Sequence, residues 1–477
     1  MTKEGLSELS YEIAVIGSGP SGQRAAIQSA KAGKNVVVID NRIQKLGGVS
    51  LHTGTIPSKT LREAVLYLKG LKRKFVYGSS RYSRSEVELL DLTEKVESIL
   101  TYEIKVIERQ FKRNGVDVIY GDASFADKNN IKISDKDGNT LSEINAEKII
   151  IATGTNPRRP DDINFDQNVI FDSDFIFSRE SKIVELPRSL IVYGAGVIGT
   201  EYAGMFAALG CKVSIIDSHA DMFPFLDVEI VELIKKFFEE LGVRIYLNEK
   251  YKKLEVTSEG KGKLQTESGN IYEADAILFS KGRTPATGAL NIDKVGIETG
   301  PRGTINVNDK YQTSVKNIYA CGDVIGFPAL ASTSSEQGRL AARFAVGLGV
   351  DSKVNDNFPY AIYSIPEMSS IGKTEQELIK EEIPYEKGVA YYYEIAKAAI
   401  SGDDRGALKI LFHKRTKKIL GIHIIGEQAA EIIHIGQVVM SMGGTIDFFI
   451  NNIFNYPTWA ETYKVAALNG KNKLNLK

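Results

Sequence analysis

Twice in this chain a short apolar run leads into a glycine turn, a helix-like stretch, a second apolar run and an acid. The first copy comprises Tyr11 to Ile16, Gly17-Ser18-Gly19-Pro20-Ser21-Gly22, Gln23 to Ala32, and Lys34 to Asp40. The second comprises Ile191-Val192-Tyr193, Gly194-Ala195-Gly196-Val197-Ile198-Gly199, a helix-like run through Glu201, Tyr202 and Leu209, and Lys212 to Asp217. In both, the acid stands eighteen residues past the third glycine. Few folds accommodate this order. Gly17 and Gly194 permit a tight turn, Gly19 and Gly196 let the backbone approach a pyrophosphate, and Gly22 and Gly199 let helix and strand pack closely. The helix amino terminus then faces the phosphates, and Asp40 or Asp217 accepts hydrogen bonds from an adenosine ribose. A glycine-rich strand-to-helix turn that binds nothing is the bland alternative for either copy; two copies in context argue against it. The expected fold class is α/β, with two Rossmann-like dinucleotide-binding domains. No shorter sequence period is apparent, so this is domain duplication.

The 477 residues exceed what one core usually supports, which predicts two to four domains, three if they are of ordinary size. Sixty basic and sixty acidic residues leave no formal net charge, which excludes bulk electrostatic partners such as nucleic acid and favours a small molecule. The two cysteines, Cys211 and Cys321, are too few for a disulfide scaffold and suit the reducing cytoplasm. Met1 to Gly5 lacks the features of a secretory signal, and the most apolar stretch, Ser189 to Gly210, contains Glu201 and three glycines, so no membrane insertion is expected. Five histidines and two cysteines show no ligand spacing, so no metal site is predicted.

Between and beyond the two fingerprints the chain reads as follows. Gly48 to Lys59 contains Pro57, suited to the first turn of a helix through Leu61, Ala64, Val65 and Leu68. Lys59 would sit in that first turn, where a cation opposes the helix dipole, so it is either a solvated surface lysine or there for chemistry. Residues 70 to 115 are charged and helical; Asp135 to Asn139 is hairpin-like; Lys148 to Ala152 is a strand closed by Thr153-Gly154-Thr155-Asn156-Pro157. After a Pro-, Asp- and Ser-rich stretch and the second fingerprint, Ala274 to Ser280 is a strand leading into Lys281-Gly282-Arg283-Thr284-Pro285. Thr313 to Asp323 is a strand with a glycine-acid turn, where Asp323 is either a ligand or a helix cap, and Leu330 to Leu348 is helical. Past a linker near residue 350 come strands near Tyr391-Tyr392-Tyr393, Ala407 to Phe412 and Gly421 to Ile425, then helices from Glu427 to Ala467. Domains are expected at 1–156 and 277–350 (first, in two parts), 157–276 (second) and 351–477, the last an α+β packing or dimerisation unit.

Asp217 bears on nucleotide choice. A carboxylate there accepts from the free ribose hydroxyls of NAD, whereas a 2'-phosphate normally needs an arginine. Ser218, His219, Ala220 and Asp221 supply none, so NAD is favoured. His219 and His434 read as ordinary surface or packed histidines.

Both fingerprints, Gly54-Thr55-Ile56-Pro57-Ser58-Lys59, Ala152-Thr153-Gly154, Gly282-Arg283-Thr284-Pro285 and Tyr319-Ala320-Cys321-Gly322-Asp323 together resemble the pyridine-nucleotide flavoprotein disulfide reductases (glutathione reductase-like) over essentially the whole chain. The resemblance implies FAD in the first site, a nicotinamide nucleotide in the second, and a homodimer or higher homo-oligomer. It implies that Gly17, Gly19, Gly22 and Asp40 hold the FAD adenosine and pyrophosphate and that Ala123 and Gly154 approach by backbone. Gly48 and Thr55 would shape the flavin site, Asp323 would bind the ribityl chain, and Lys59 would lie by the flavin, paired with Glu201. Gly194, Gly196, Gly199, Asp217 and Gly282 would serve nucleotide binding.

The departures matter as much. Ser50 and Thr55 stand where that family has its redox cysteines, and Tyr456, before Pro457-Thr458, stands where it has a base histidine, while Glu461 remains. Tyrosine keeps its proton at neutral pH and is a poor base. These absences argue against a dihydrolipoamide, glutathione or mercuric reductase. His52 with Gly54 to Lys59, Glu427 to Gln437, and Phe454 to Thr458 are similar to the subgroup of soluble pyridine nucleotide transhydrogenases, although Ser50 replaces its usual lone cysteine and Asp217 with His219 replaces residues kinder to NADP. The subgroup implies ping-pong hydride transfer between NAD(H) and NADP(H). The alternatives are an NAD(P)H dehydrogenase of diaphorase type, passing electrons to a quinone or other non-thiol acceptor, and a sensing subunit that binds FAD and NAD without turnover.

Overall fold

The structure, a computed structural model, describes residues 9–43, 45–69, 89–176, 186–349 and 357–475. Met1 to Gly5 lies outside the described residues. So do parts of the charged section from residue 70, of the stretch up to Pro187 and of the linker near 350.

The first fingerprint folds as strand Leu9–Ile16, helix Pro20–Lys31 and strand Val36–Asp40. Every residue of Val36–Asp40 is buried, as a parallel strand covered on both faces requires. Its sheet runs Val116–Tyr120, Val36–Asp40, Leu9–Ile16, Thr140–Ile151, and an antiparallel hairpin of Asn130–Ser134 and Asp122–Phe125 extends the edge. The chain leaves this sheet after Ile151 and returns to it 167 residues later, when Ile318–Ala320 pairs in parallel with Ile149 to Ile151. Helix Ala331–Ala345 then packs on helix Pro20–Lys31, so closely that a Cβ on Gly338 would lie 2.0 Å from the Ser21 carbonyl oxygen.

The second fingerprint repeats the plan as Ser189–Tyr193, Val197–Ala208 and Lys212–Ile216, in a wholly parallel sheet with Arg244–Tyr246, Ala276–Phe279 and Ile170–Asp172. Ile170–Asp172 is a strand that the polar composition of 157–187 conceals; its three residues are buried at the sheet edge. An antiparallel meander, Tyr251–Val256, Gly262–Thr266 and Ile271–Ala274, covers one side. A two-stranded ribbon of Thr155–Pro157 with Arg283–Pro285 marks where the chain passes between the two sheets in both directions. Arg283 ties that ribbon down, donating to the Thr155 hydroxyl at 2.9 Å and to Asp174 at 2.7 Å.

The carboxy-terminal part is an antiparallel sheet, Tyr360–Ile362, Met368–Gly372, Ile419–Ile425, Ala407–His413, Tyr385–Tyr391, with helices Ala429–Ser441, Ile446–Asn451 and Glu461–Asn475. The tyrosine run is not a strand throughout. Tyr391 closes one and Tyr392–Glu394 is a 3-10 turn, because Tyr392 turns inward to stack on Trp459 while Tyr391 and Tyr393 stack on each other outside. Val438, Met442, Phe448, Ile453 and Tyr456 leave apolar surface exposed here. Among the described residues no helix is long and apolar enough to cross a membrane, and no cluster of ligands could hold a metal ion.

Candidate active site

Both glycine turns are enforced by contact. Gly17 has φ +105° and a Cβ there would sit 2.4 Å from the Ala152 carbonyl oxygen; Gly194 has φ +126° and its Cβ would sit 2.5 Å from that of Ser280. A Cβ on Gly22 would meet the Gly17 oxygen at 1.9 Å, and one on Gly199 the Gly194 oxygen at 2.0 Å. Any side chain at these places would push helix off strand.

At the end of the first fingerprint, Asp40 accepts from the Ser18 N–H at 2.9 Å, the Ser18 hydroxyl at 2.6 Å and the Arg42 N–H at 2.9 Å. Ser18, a buried residue inside the turn, escaped the sequence reading; a hydroxyl between two glycines was its only signal. Asp40, Gly17, Gly19, Gly48, Thr55, Ala123, Gly154 and Asp323 line one cavity of about 570 Å³. Gly22 lies behind its wall. The helices Pro20–Lys31 and Ala331–Ala345 both begin without a capping side chain, and Gly19, Pro20, Ala329 and Ala331 line the cavity, so two positive helix ends converge there. The Thr153 hydroxyl is buried in the lining without a partner. Burial pushes the Asp323 carboxyl up, offset in part by the Ser334 hydroxyl at 3.0 Å.

The Gly48–Lys59 segment forms a short helix, Gly48–His52, and then Thr55–Lys69. Gly48 has φ +63°, and its Cβ would press to 2.7 Å on Gly19 Cα, so the segment lies directly on the first glycine turn. The second helix starts at Thr55, two residues before Pro57. Proline costs nothing at its third position, since the first four N–H groups have no helical partner. Lys59 is therefore the fifth helical residue, past the first turn, and the dipole conflict anticipated from sequence is weaker than expected. Lys59 follows Thr55 by four residues, on one helix face. Its ammonium lies 2.6 Å from Glu201 Oε2 and 4.8 Å over the Tyr363 ring. Glu201, buried in the apolar helix Val197–Ala208, also accepts from the Tyr363 N–H at 2.9 Å. Three parts of the chain thus meet at one ion pair, and of the helix Thr55–Lys69 it is Thr55 that lines the cavity, whereas Lys59 and Glu201 are not among its lining residues.

Ser50 and Thr55 both line the cavity. The chain's two thiols lie elsewhere: burial pushes Cys211 up to about 12, aided by Asp275, and burial does the same for Cys321. Neither is a nucleophile at neutral pH. His52 is mostly buried, its ring nitrogen 3.0 Å from the Leu46 carbonyl oxygen, and burial lowers its affinity for a second proton.

The second fingerprint lies outside that cavity. Asp217 Oδ2 accepts from the Ala195 N–H at 2.6 Å and Oδ1 from the His219 N–H at 2.8 Å, the arrangement seen at Asp40. Lys281 adds to it, its ammonium 2.8 Å from Asp217 Oδ1 and 2.9 Å from the Ser218 hydroxyl. Burial works against ionisation of Asp217, but Lys281 and the two N–H donors outweigh it and hold the carboxyl below its usual range. The residues following Asp217 supply no arginine; the cation beside it, Lys281, comes from 64 residues away. Gly282, φ +97°, is the turn beside Lys281 and lies outside the first cavity.

The family model described as pyridine nucleotide-disulphide oxidoreductase matches residues 11–338, and its dimerisation-domain model matches 358–467. The chain belongs to the pyridine nucleotide-disulphide oxidoreductases. A soluble pyridine nucleotide transhydrogenase of Mycobacterium bovis is 46% identical over 97% of this chain and 98% of its own, and one of Aliivibrio fischeri is 44% identical over the same shares. Among solved structures, the HOCl-induced flavoprotein disulfide reductase RclA of Escherichia coli superposes with a TM-score of 0.85 at 26% identity, over 96% of this chain and 99% of that one. The family uses FAD. The first cavity suits it on its own chemistry: backbone-only walls at Gly17, Gly19 and Gly48, two uncapped helix ends for a pyrophosphate, and an unpartnered hydroxyl and a desolvated carboxyl able to bond hydroxyl groups.

Proposed function

We propose that this oxidoreductase transfers hydride between NAD(H) and NADP(H), with FAD in the first cavity and each nicotinamide nucleotide in turn at the second fingerprint. The observation that carries this function is the Lys59–Glu201 ion pair, which joins the helix beginning at the cavity residue Thr55 to the helix of the second fingerprint, with hydroxyls at Ser50 and Thr55 where the family's thiols would be. The names of the relatives agree with it. Bound FAD supplies a carrier able to accept a hydride from one nicotinamide and release it to the next. The chain's own residues do the rest. Asp40 and the glycine turn hold the adenosine end, and Asp323 with Ser334 offers partners to the polyol. Lys59, fixed by Glu201, keeps a positive charge on the Thr55 face of the cavity, and the start of helix Ala331–Ala345 adds a second positive end. Ser50, Thr55, Cys211 and Cys321 provide no redox-active pair, so the hydride leaves without a disulfide and a second nucleotide can take it. Two copies are proposed to associate through the exposed face around Met442, Phe448 and Ile453, and the reducing cytoplasm is the proposed location.

Anaerobic NADH should bleach the flavin absorbance, and stopped-flow mixing with thio-NADP should restore it at about 10 s⁻¹ or faster, an ordinary turnover rate. Restoration only by a quinone or oxygen would replace transhydrogenation by a diaphorase activity; no bleaching would remove enzymatic function. The cradle makes its own prediction. Asp40→Asn weakens three hydrogen bonds to a charged acceptor and is expected to loosen FAD by about tenfold, roughly 1.4 kcal/mol, measured by flavin fluorescence on dilution.

A further inference from the structure

The two fingerprints are copies, and they differ at one telling place. Ala152 and Ser280 are equivalent: each donates its N–H to the neighbouring fingerprint strand, at Ile16 and Tyr193 and at 2.8 Å in both cases, and each presents its carbonyl to the first glycine. The residues that follow are therefore equivalent too. In the first copy this is Thr153, a short hydroxyl with no partner. In the second it is Lys281, whose side chain is 17% exposed and whose ammonium rests on Asp217 Oδ1 and the Ser218 hydroxyl and lies 3.3 Å from the His219 ring nitrogen. Asp40 has no such companion among the groups bonded to it, which are Ser18 and Arg42.

An exchange between NAD(H) and NADP(H) imposes opposite demands at this spot. One nucleotide presents a neutral 2'-hydroxyl, the other a phosphate dianion. Asp217 alone suits the first and repels the second. We propose that Lys281 is the residue that lets the second fingerprint take both, lying on Asp217 when a 2'-hydroxyl is presented and turning to the phosphate when that is presented, with Ser218 and His219 beside it. A lysine fits this task better than an arginine, because a compact ammonium on a flexible stem can change partners while a guanidinium fork is committed to one geometry. The exchange leaves the turn undisturbed, since Asp217 Oδ2 stays bonded to Ala195 and Oδ1 keeps the His219 N–H. The role of Lys281 rests on both nucleotides using this site, as proposed above.

The test measures KM for NADPH and NADH with a dye as acceptor, so that donor binding is read whether or not hydride passes to a second nucleotide. Lys281→Met is expected to raise the NADPH-to-NADH ratio of KM by about tenfold or more, in KM and not in kcat, while Lys281→Arg restores it to within about threefold of the wild type. Asp217→Asn should move the ratio the other way, by about threefold or more, because it removes the repulsion and releases the lysine. A ratio that stays within about twofold in Lys281→Met, or two KM values that rise together, overturns the proposal. If that variant does not fold, the wild-type protein still decides: 2',5'-ADP should compete better than 5'-AMP at low salt, with the advantage shrinking as salt is raised, and no advantage at low salt overturns it. Failure of the wild-type enzyme to pass hydride from NADH to thio-NADP, with these results intact, would remove transhydrogenation and leave Lys281 in its role.

Discussion

Lys59→Met is expected to slow the bleaching of the flavin by NADH by about 100-fold in the anaerobic half-reaction, the scale on which a single preorganised charge acts beside a reacting group. The substitution keeps the length of the side chain and removes only the ammonium that sits 2.6 Å from Glu201 and over the Tyr363 ring. The cavity walls at Gly17, Gly19 and Gly48 are untouched, so flavin content should remain full, and KM for NADH should move little if the nucleotide binds at the second fingerprint as proposed. Glu201→Gln separates charge from position. Its amide oxygen can still accept from the Tyr363 N–H, but it no longer fixes the ammonium, so a smaller loss of about tenfold is expected. A Lys59→Met half-reaction within about threefold of the wild type, with flavin bound, would mean that the pair only joins three parts of the fold. Loss of flavin instead of rate would make Lys59 a structural anchor of the cavity.

What could be read from the sequence is local. The glycine turns, Asp40 and Asp217 were legible because the requirements at Gly17 or Gly22, a left-handed φ or a missing Cβ, are set within one strand-turn-helix unit. Ser50, Thr55 and Tyr456 were legible as departures from a family pattern. The pairing of Lys59 with Glu201 came from that resemblance alone, since 142 residues separate them. Lys281 on Asp217 and Arg283 on Asp174, 64 and 109 residues apart, were not legible, because they exist only once parallel strands lie side by side. Ile170–Asp172 was missed for a related reason: three buried residues at a sheet edge are too few to show a period, and their polar neighbours dominate the composition.

The same rule hides an ion-pair network between the second sheet's helix and the carboxy-terminal sheet. Lys409 sits in the strand Ala407–His413 with its side chain 2% exposed, 2.9 Å from Asp227, which is fully buried, and 3.0 Å from Glu229, and it is also bonded to Glu375. Lys387 joins Glu375 at 3.0 Å. Asp227 caps the helix Val228–Glu240, accepting from the Glu229 N–H at 3.1 Å, so this cluster fastens the second sheet's helix to the carboxy-terminal sheet. Removing one partner strands the others, and Lys409→Met is expected to cost about 3 to 5 kcal/mol at pH 7, the usual result of leaving buried carboxylates uncompensated. Trp459, the only tryptophan, is buried against Tyr392 in that part of the fold, so its fluorescence reports the loss, as a urea midpoint lower by about 2 M. Pairing Lys409→Met with Asp227→Asn should recover part of it, since asparagine keeps the cap and removes a charge. The acid side gives a second reading. Burial opposes ionisation of Glu375, yet Lys409, Tyr385 and Lys387 overcome it and hold the carboxyl at about 2 instead of 4.5. A depressed carboxyl stabilises the fold above its ordinary value and loses that contribution as pH falls from about 4.5 toward 2. In Lys409→Met that acid-side slope should flatten; an unchanged slope and a midpoint within about 0.5 M of the wild type would show that the cluster holds nothing together.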